Sequence, residues 1–241
     1  MNAIALQKKE LRENLRKESR EARHQAIHRS HAPHVSAPNY SLNEQLIELL
    51  TRIASSREKA LCWASFQALQ GEPDLKWVSQ RLSDLIDWVY PRIENDQLVF
   101  YRPGPVPQFV SGKWGVLEPT PDPARRVTDE KIEGILIPGM AFDAFGNRLG
   151  RGAGFYDKAL ARVEEKNSQL IKVGVCFESQ MMEEPVPVEE LDISMTWIVT
   201  ESRCLRTGSS RTGANAGAPR LHPSVGAEGL HANNQQDRQD E

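Results

Sequence analysis

Apolar residues in the first part of the chain recur at helical spacing. Ile4, Leu11, Leu15 and Ala22 predict a helix over residues 3–23. The rest of that helix is charged, with basic Lys8, Lys9, Arg12, Arg16, Lys17, Arg20 and Arg23 set among four glutamates. Taken alone, this is a solvated face laced by i,i+4 ion pairs. Over 41–54, Leu42, Leu46, Ile47, Leu49, Leu50 and Ile53 supply a buried stripe, and Ser41 with Glu44 makes a capping-box pattern. A helix is expected over 73–87, with Pro73 in its first turn and Leu75, Val78, Leu82, Leu85 and Ile86 on one face. The apolar run 60–66 suits a buried strand, and 86–90 and 97–101 read as strands joined by a turn at Glu94–Asp96. Six prolines in 102–126 leave an ordered loop or weak edge strands.

From residue 134 the pattern changes. Short apolar runs at 134–138, 171–177 and 195–200 predict strands, with a helix over Phe155–Val163 among them. Strands alternating with helices imply an α/β fold: one domain with a mixed, mostly parallel sheet flanked by helices. Ligands of such sheets bind beyond the C-terminal ends of the strands. A glycine-rich stretch lies just past one such end. Residues 206–241 contain no Phe, Trp, Tyr, Ile or Met, and their charges cancel. Such a segment cannot offset its ordering entropy by burial, so a folding unit of 1–205 and a disordered tail of 206–241 are expected.

Composition narrows the partners. The 241 residues carry 30 Lys and Arg against 33 Asp and Glu, a net charge of −3. That balance argues against nucleic acid as the main partner. Cys62, Cys176 and Cys204 form no C-x-x-C pair, so a disulfide framework or zinc ribbon is not expected and a reducing, cytoplasmic setting is. No apolar run approaches the roughly 18–20 residues of a membrane span. The first residues lack the continuous apolar stretch of a secretory signal. His24 and His28 have a metal-compatible i,i+4 spacing, with His31 and His34 nearby, but no Cys or carboxylate completes a set. A polar helix end and loop is the reading taken.

The segment 138–157, PGMAFDAFGNRLGRGAGFYD, carries the densest chemistry. Gly150, Gly152 and Gly154 alternate, which lets backbone N–H groups approach an anion. Arg148 and Arg151 can add bidentate bonds to phosphate oxygens. The helix beginning after Gly154 points its positive end the same way. No G-K-[ST] ends the stretch, so it is not a P-loop, and Phe155 breaks the dinucleotide fingerprint. Asp157 is either a Mg2+ ligand beside a polyphosphate or an acid favoured by the helix dipole. Asp192, closing PVPVEELD, could complete a metal pair or serve as a turn cap.

These residues resemble the 5-formyltetrahydrofolate cyclo-ligase (methenyltetrahydrofolate synthetase) family. The most specific match is PGMAFD (Pro138 to Asp143) with GNRLGRGAGFYD (Gly146 to Asp157). KKELR (Lys8 to Arg12), Gly71-Glu72, WGVLEP (Trp114 to Pro119) and Gln180 with VPVEELD (Val186 to Asp192) follow the family order across about residues 5–201. The resemblance implies a fold like the NagB/RpiA/CoA-transferase group and a carbon–nitrogen ligase acting on small molecules as a monomer. Its reaction converts 5-formyltetrahydrofolate to 5,10-methenyltetrahydrofolate with ATP as co-substrate and Mg2+ as cofactor, releasing ADP and phosphate through an iminium phosphate. Phosphoryl transfer needs positioning and charge neutralisation more than a dedicated nucleophile.

The resemblance also assigns roles. Lys8, Lys9 and Arg12 would hold ATP, with Arg148, Leu149, Gly150, Arg151, Gly152, Ala153, Gly154, Phe155 and Tyr156 forming the nucleotide loop. Arg148 and Arg151 would be catalytic. Asp157 and Asp192 would hold Mg2+. Glu72, Trp114, Phe155 and Tyr156 would contact the folate. On their own residues, the competing readings are a helix-start acid for Glu72 and a half-buried loop tryptophan for Trp114. The chain departs from the family at WASF (Trp63 to Phe66), at GEPDL (Gly71 to Leu75) and at Leu191, where many members have His. The competing reading is a nucleotide- or RNA-binding homologue without catalysis.

Overall fold

The computed structural model describes residues 2–27, 37–104, 109–208 and 220–221. Its helices are α1 (Ala3–Ile27), α2 (Ala37–Ala54), α3 (Lys76–Arg81) and α4 (Phe155–Lys166). The strands of the first half are β1 (Leu61–Ala64), β2 (Ile86–Glu94), β3 (Gln97–Tyr101), β4 (Phe109–Ser111), β5 (Leu117–Pro119) and β6 (Arg126–Val127). Those of the second are β7 (Gly134–Ile137), β8 (Ala141–Asp143), β9 (Arg148–Leu149), β10 (Ile171–Val175), β11 (Met181–Met182), β12 (Trp197–Val199), β13 (Cys204–Arg206) and β14 (Arg220–Leu221).

Successive residues of a strand face opposite sides of its sheet. In the central strands both sides are buried, which is why their sequences are continuously apolar. Trp63, Leu136, Val173 and Val199 pack beneath α2 and α3 with Leu42, Leu46, Leu50 and Val78. Cys62, Ala64, Ile135, Ile137 and Ile198 face the other way, against Ala159, Leu160 and Val163 of α4. Nine strands run in the order β14-β13-β12-β10-β7-β1-β2-β3-β6. The five from β12 to β2 are parallel, and both margins are antiparallel. This is the mixed, mostly parallel sheet between helices that the alternating pattern implies. Separately, β11, β8 and β9 form a small sheet at the end of the large one. A third apolar cluster, Ala141, Leu149 and Val186, joins that sheet to Leu11 and Leu15 of α1.

Several boundaries differ from the sequence reading, each for a physical reason. Helix α1 continues to Ile27, since no proline interrupts it before Pro33. Its Ile4 is not part of a buried stripe but is 37% exposed. Helix α2 starts at Ala37, with Pro38 tolerated in its first turn, so Ser41 lies inside the helix and is not its cap. The helix expected over 73–87 shrinks to Lys76–Arg81. Asn39 and Asn43 bond the backbone of Asp74 at its start. At its end Ile86 is taken into β2, paired with Leu61. Strand β2 runs past Tyr90 through Pro91. Its pairing with β1 ends at Val89, so the missing proline N–H costs no ladder bond on that side. Asn95 and Asp96 turn the β2–β3 hairpin at φ 48° and 57°. The strand over 195–200 is not the last: β13 pairs with it antiparallel, and β14 with β13. Of the expected tail, 209–219 and 222–241 lie outside the described residues, as do His28, His31 and His34 and the side chain of His24.

Candidate nucleotide and folate site

Three segments far apart in sequence meet beside the small sheet. The first is α1. Lys8 is 4% exposed, and its Nζ donates to Glu189 Oε2 at 3.0 Å and to Asp192 Oδ2. One turn on, Arg12 Nε donates to the Gly150 carbonyl at 2.9 Å. A further turn on, Arg16 donates to the Arg151 carbonyl at 3.4 Å. Residues four apart share one helix face, so this basic row lines one side of the site.

The second segment is the 148–157 loop between β9 and α4. Gly152 adopts φ +108° and Gly154, the N-cap of α4, φ +67°. Both are left-handed conformations that a Cβ penalises. They swing the loop over the end of α4, where orphan N–H groups and the helix dipole favour an anion. Arg151 is exposed at the loop's edge and reaches Glu72, with Nη2 to Oε1 at 2.8 Å and Nε at 3.1 Å. Glu72 sits after β1, and its other oxygen accepts from the Leu69 N–H at 2.9 Å.

The third segment is 186–192. The Glu189 N–H donates to Asp192 Oδ2 at 2.6 Å, and Asn2 Nδ2 to Glu189 Oε1 at 3.2 Å. The bond from Lys8, and after it the one from Asn2, holds the Glu189 carboxyl below its ordinary range. Asp143, 1% exposed, fixes where this segment starts: it accepts from the N–H groups of Phe145, Asn147 and Val186 at 2.9 Å and from Asn147 Nδ2 at 2.8 Å.

Charge converges here. Burial and then the charge of Arg16 pull the Arg12 guanidinium down, against the upward pull of Asp192 and Glu189. Burial, with help from the Glu72 charge, pushes the Tyr156 phenol well above its ordinary value, so it stays protonated at neutral pH.

The expected residues do not all face this space. Hydrogen bonds bring Lys8 to Asp192, Arg12 to Gly150 and Arg151 to Glu72 around the loop of Gly150, Gly152 and Gly154, while Asp157 is bonded to Arg148. Lys9 does not: one residue round the helix from Lys8, its side chain is 60% exposed and reaches Glu13 at 4.0 Å. Leu149 is fully buried in β9 opposite Ala141, a core residue and not a ligand contact. Arg148 is turned inward. Its Nη2 donates to Asp157 Oδ1 at 3.0 Å and its Nη1 to the Pro138 carbonyl at 3.3 Å, while its guanidinium lies 5.5 Å from the centre of the Tyr156 ring. It braces the loop from beneath; a Cβ on Gly150 would come 3.0 Å from its Nη1. Ala153 is exposed on the loop, and Phe155 and Tyr156 are half-buried against the α4 core. Trp114 lies in the turn Lys113–Gly115, and its side chain is outside the described residues.

Sequence reasoning missed Glu189, which shares Lys8 with Asp192, and Arg16. The four-residue spacing of Lys8, Arg12 and Arg16 was the available clue to the second. Among the described residues no group of three His, Cys, Asp or Glu could hold a metal by itself. Oδ1 of Asp157 and Oδ2 of Asp192 accept from protein donors. Carboxylates are the donors Mg2+ takes, one or two from the protein with the rest from phosphate and water. No described helix is long and apolar enough to cross a membrane.

Residues 5–201 match the profile of the 5-formyltetrahydrofolate cyclo-ligase family. The chain is 37% identical over 105 residues to the 5-formyltetrahydrofolate cyclo-ligase of Mycolicibacterium smegmatis, covering 43% of this chain and 50% of that one. It is 33% identical over 144 residues to the 5-formyltetrahydrofolate cyclo-ligase of Escherichia coli K12, covering 58% and 78%. The match thus spans about half the length of some curated relatives, the probable cyclo-ligase of Schizosaccharomyces pombe among them. Among solved structures, the Aquifex aeolicus 5,10-methenyltetrahydrofolate synthetase superposes with a TM-score of 0.61 at 28% identity, over 85% of this chain and 97% of that one. The Mycoplasma pneumoniae 5,10-methenyltetrahydrofolate synthetase shares the fold at a TM-score of 0.57 and 19% identity, over 80% and 98%.

Proposed function

Because the chain belongs to the 5-formyltetrahydrofolate cyclo-ligase family, we propose that it converts 5-formyltetrahydrofolate to 5,10-methenyltetrahydrofolate, consuming ATP and releasing ADP and phosphate. The observation that carries this reading is the meeting of α1 with the other two segments, through Lys8 on Asp192 and Arg12 on Gly150. A triphosphate needs cations, open backbone N–H groups and a metal-binding acid pair in one place. Lys8, Arg12 and Arg151 provide the first, residues 150–154 the second, and Asp157 with Asp192 the third. Those two acids would hold a Mg2+ ion, which would supply neutralisation of the phosphate charge.

In the proposed reaction the formyl oxygen attacks the γ-phosphorus and the bond to ADP breaks. The neighbouring aryl nitrogen then attacks the formyl carbon and loses its proton. Phosphate departs with the former formyl oxygen, closing the ring. The protein's part is electrostatic and positional. Glu72 orients the pterin through its N–H donors, Arg151 and Arg12 draw the triphosphate in line, and Arg148 keeps Asp157 and Tyr156 in register. We place the enzyme in the cytoplasm and as a monomer. Purified protein should develop the near-ultraviolet absorbance of the methenyl product from 5-formyltetrahydrofolate only when ATP and Mg2+ are both added. Folded protein that binds ATP and yields no such absorbance would leave a nucleotide-binding homologue instead.

A further inference from the structure

The two substrates' anchors are bonded to each other. Glu72 belongs to the folate side and Arg151 to the nucleotide side, 79 positions apart in the chain, and the Arg151 guanidinium forks onto Glu72 Oε1. The two ends of this bridge differ. The Glu72 side chain is 6% exposed and the Arg151 side chain 51%. Among the described residues Arg151 is the only cation paired with Glu72. A carboxylate that deeply placed is unfavourable without a partner. Arg151, on a loop held by Arg12 and Arg16 through its carbonyls alone, can swing away without dismantling its support.

We infer that the Glu72–Arg151 pair is an exchangeable latch that couples the two substrate sites, so that each substrate tightens binding of the other. This rests on the assignment of nucleotide and folate to the two sides. A triphosphate that recruits Arg151 strips Glu72 of its counter-charge and leaves it seeking N–H donors, which a pterin supplies. A pterin that satisfies Glu72 releases Arg151 for phosphate. Whichever substrate arrives first breaks the pair, and the second does not have to, so the effect is reciprocal.

The test is calorimetry on the full chain. The Mg2+ complex of a non-hydrolysable ATP analogue is titrated with and without saturating 5-formyltetrahydrofolate, and the folate with and without the analogue. In the wild type each should bind about fivefold to tenfold tighter in the other's presence, within the usual span of such couplings. Arg151→Gln should bind the analogue more weakly, bind the folate alone more tightly than the wild type does, and lose the coupling. Simple electrostatics gives the opposite sign for the folate, an anion losing a nearby cation, so this arm separates a latch from a general charge effect. Glu72→Gln should bind the analogue alone more tightly. If Glu72→Gln does not fold, Arg151→Gln decides the matter by itself. Independent binding in the wild type, or undiminished coupling in Arg151→Gln, overturns the latch. Failure of the wild type to bind the analogue at all overturns the nucleotide assignment instead.

Discussion

Two adjoining turns carry similar residues and do opposite work. At 143–147, Asp143 is buried and all its acceptor capacity goes to fixed donors, three of them backbone N–H groups. At 148–157 and the segments facing it, Asp157, Asp192 and Glu72 each accept from a long cationic side chain. Backbone donors cannot leave without unfolding, whereas a lysine or arginine head can move a few ångströms by rotating its stem. A carboxylate held only by fixed donors is therefore structural, and one that also takes a side-chain cation, as Glu72 and Asp192 do beside the Leu69 and Glu189 N–H groups, keeps one partner that a ligand can replace. Composition does not separate the two; the identity of the donors does.

Removing Asp143 should have the largest effect. Asp143→Ala leaves three backbone donors and an amide without their acceptor, a loss of about 3 kcal/mol, read as a lowered Tm. A Tm within a degree or two of the wild type would contradict its role. Arg148→Ala comes next, because it leaves the Asp157 carboxylate and the Tyr156 ring unbraced. We expect it to lower both Tm and nucleotide affinity, where Arg151→Gln lowers affinity about tenfold, equivalent to about 1.4 kcal/mol, and lowers Tm by less than Arg148→Ala does. Equal Tm losses in the two arginine variants would erase the distinction between brace and ligand. Gly154→Ala should cost about 1 kcal/mol from its φ of +67° alone, since no atom lies within 4 Å of the added Cβ. The smallest effect concerns acid. Glu189 titrates below its ordinary 4.5 in the folded chain, so its contribution is present at higher pH and is lost as pH falls through the lowered value. The stability gap between wild type and Glu189→Gln, followed by chemical denaturation, should close on acidification. A gap that widens toward low pH would contradict the clasp on Lys8.

The sheet was legible because its strands are buried on both sides and announce themselves as short, unbroken apolar runs. The loop was legible because alternate glycines among arginines have few structural uses. Less could be read where tertiary pairing overrode local preference. Residues 82–86 have a helical spacing, yet Ile86 gains more from joining β2 beside Leu61 than from extending α3. Nor could spacing tell that Lys8 faces Asp192 while Lys9 faces water, since the neighbour that decides lies 184 positions away. Arg148 and Arg151 looked alike on paper. Only the packing of Pro138 and Tyr156 around the first sets them apart.

Helix α1 rests, through Leu11 and Leu15, on the small apolar cluster of Ala141, Leu149 and Val186, separate from the two that grip the central sheet. The N-terminal arm can therefore peel off while the main body stays dry. A dilute protease should clip the arm first and leave a trimmed remnant that melts much as before, and bound nucleotide, by pinning Lys8 and Arg12, should slow the cut.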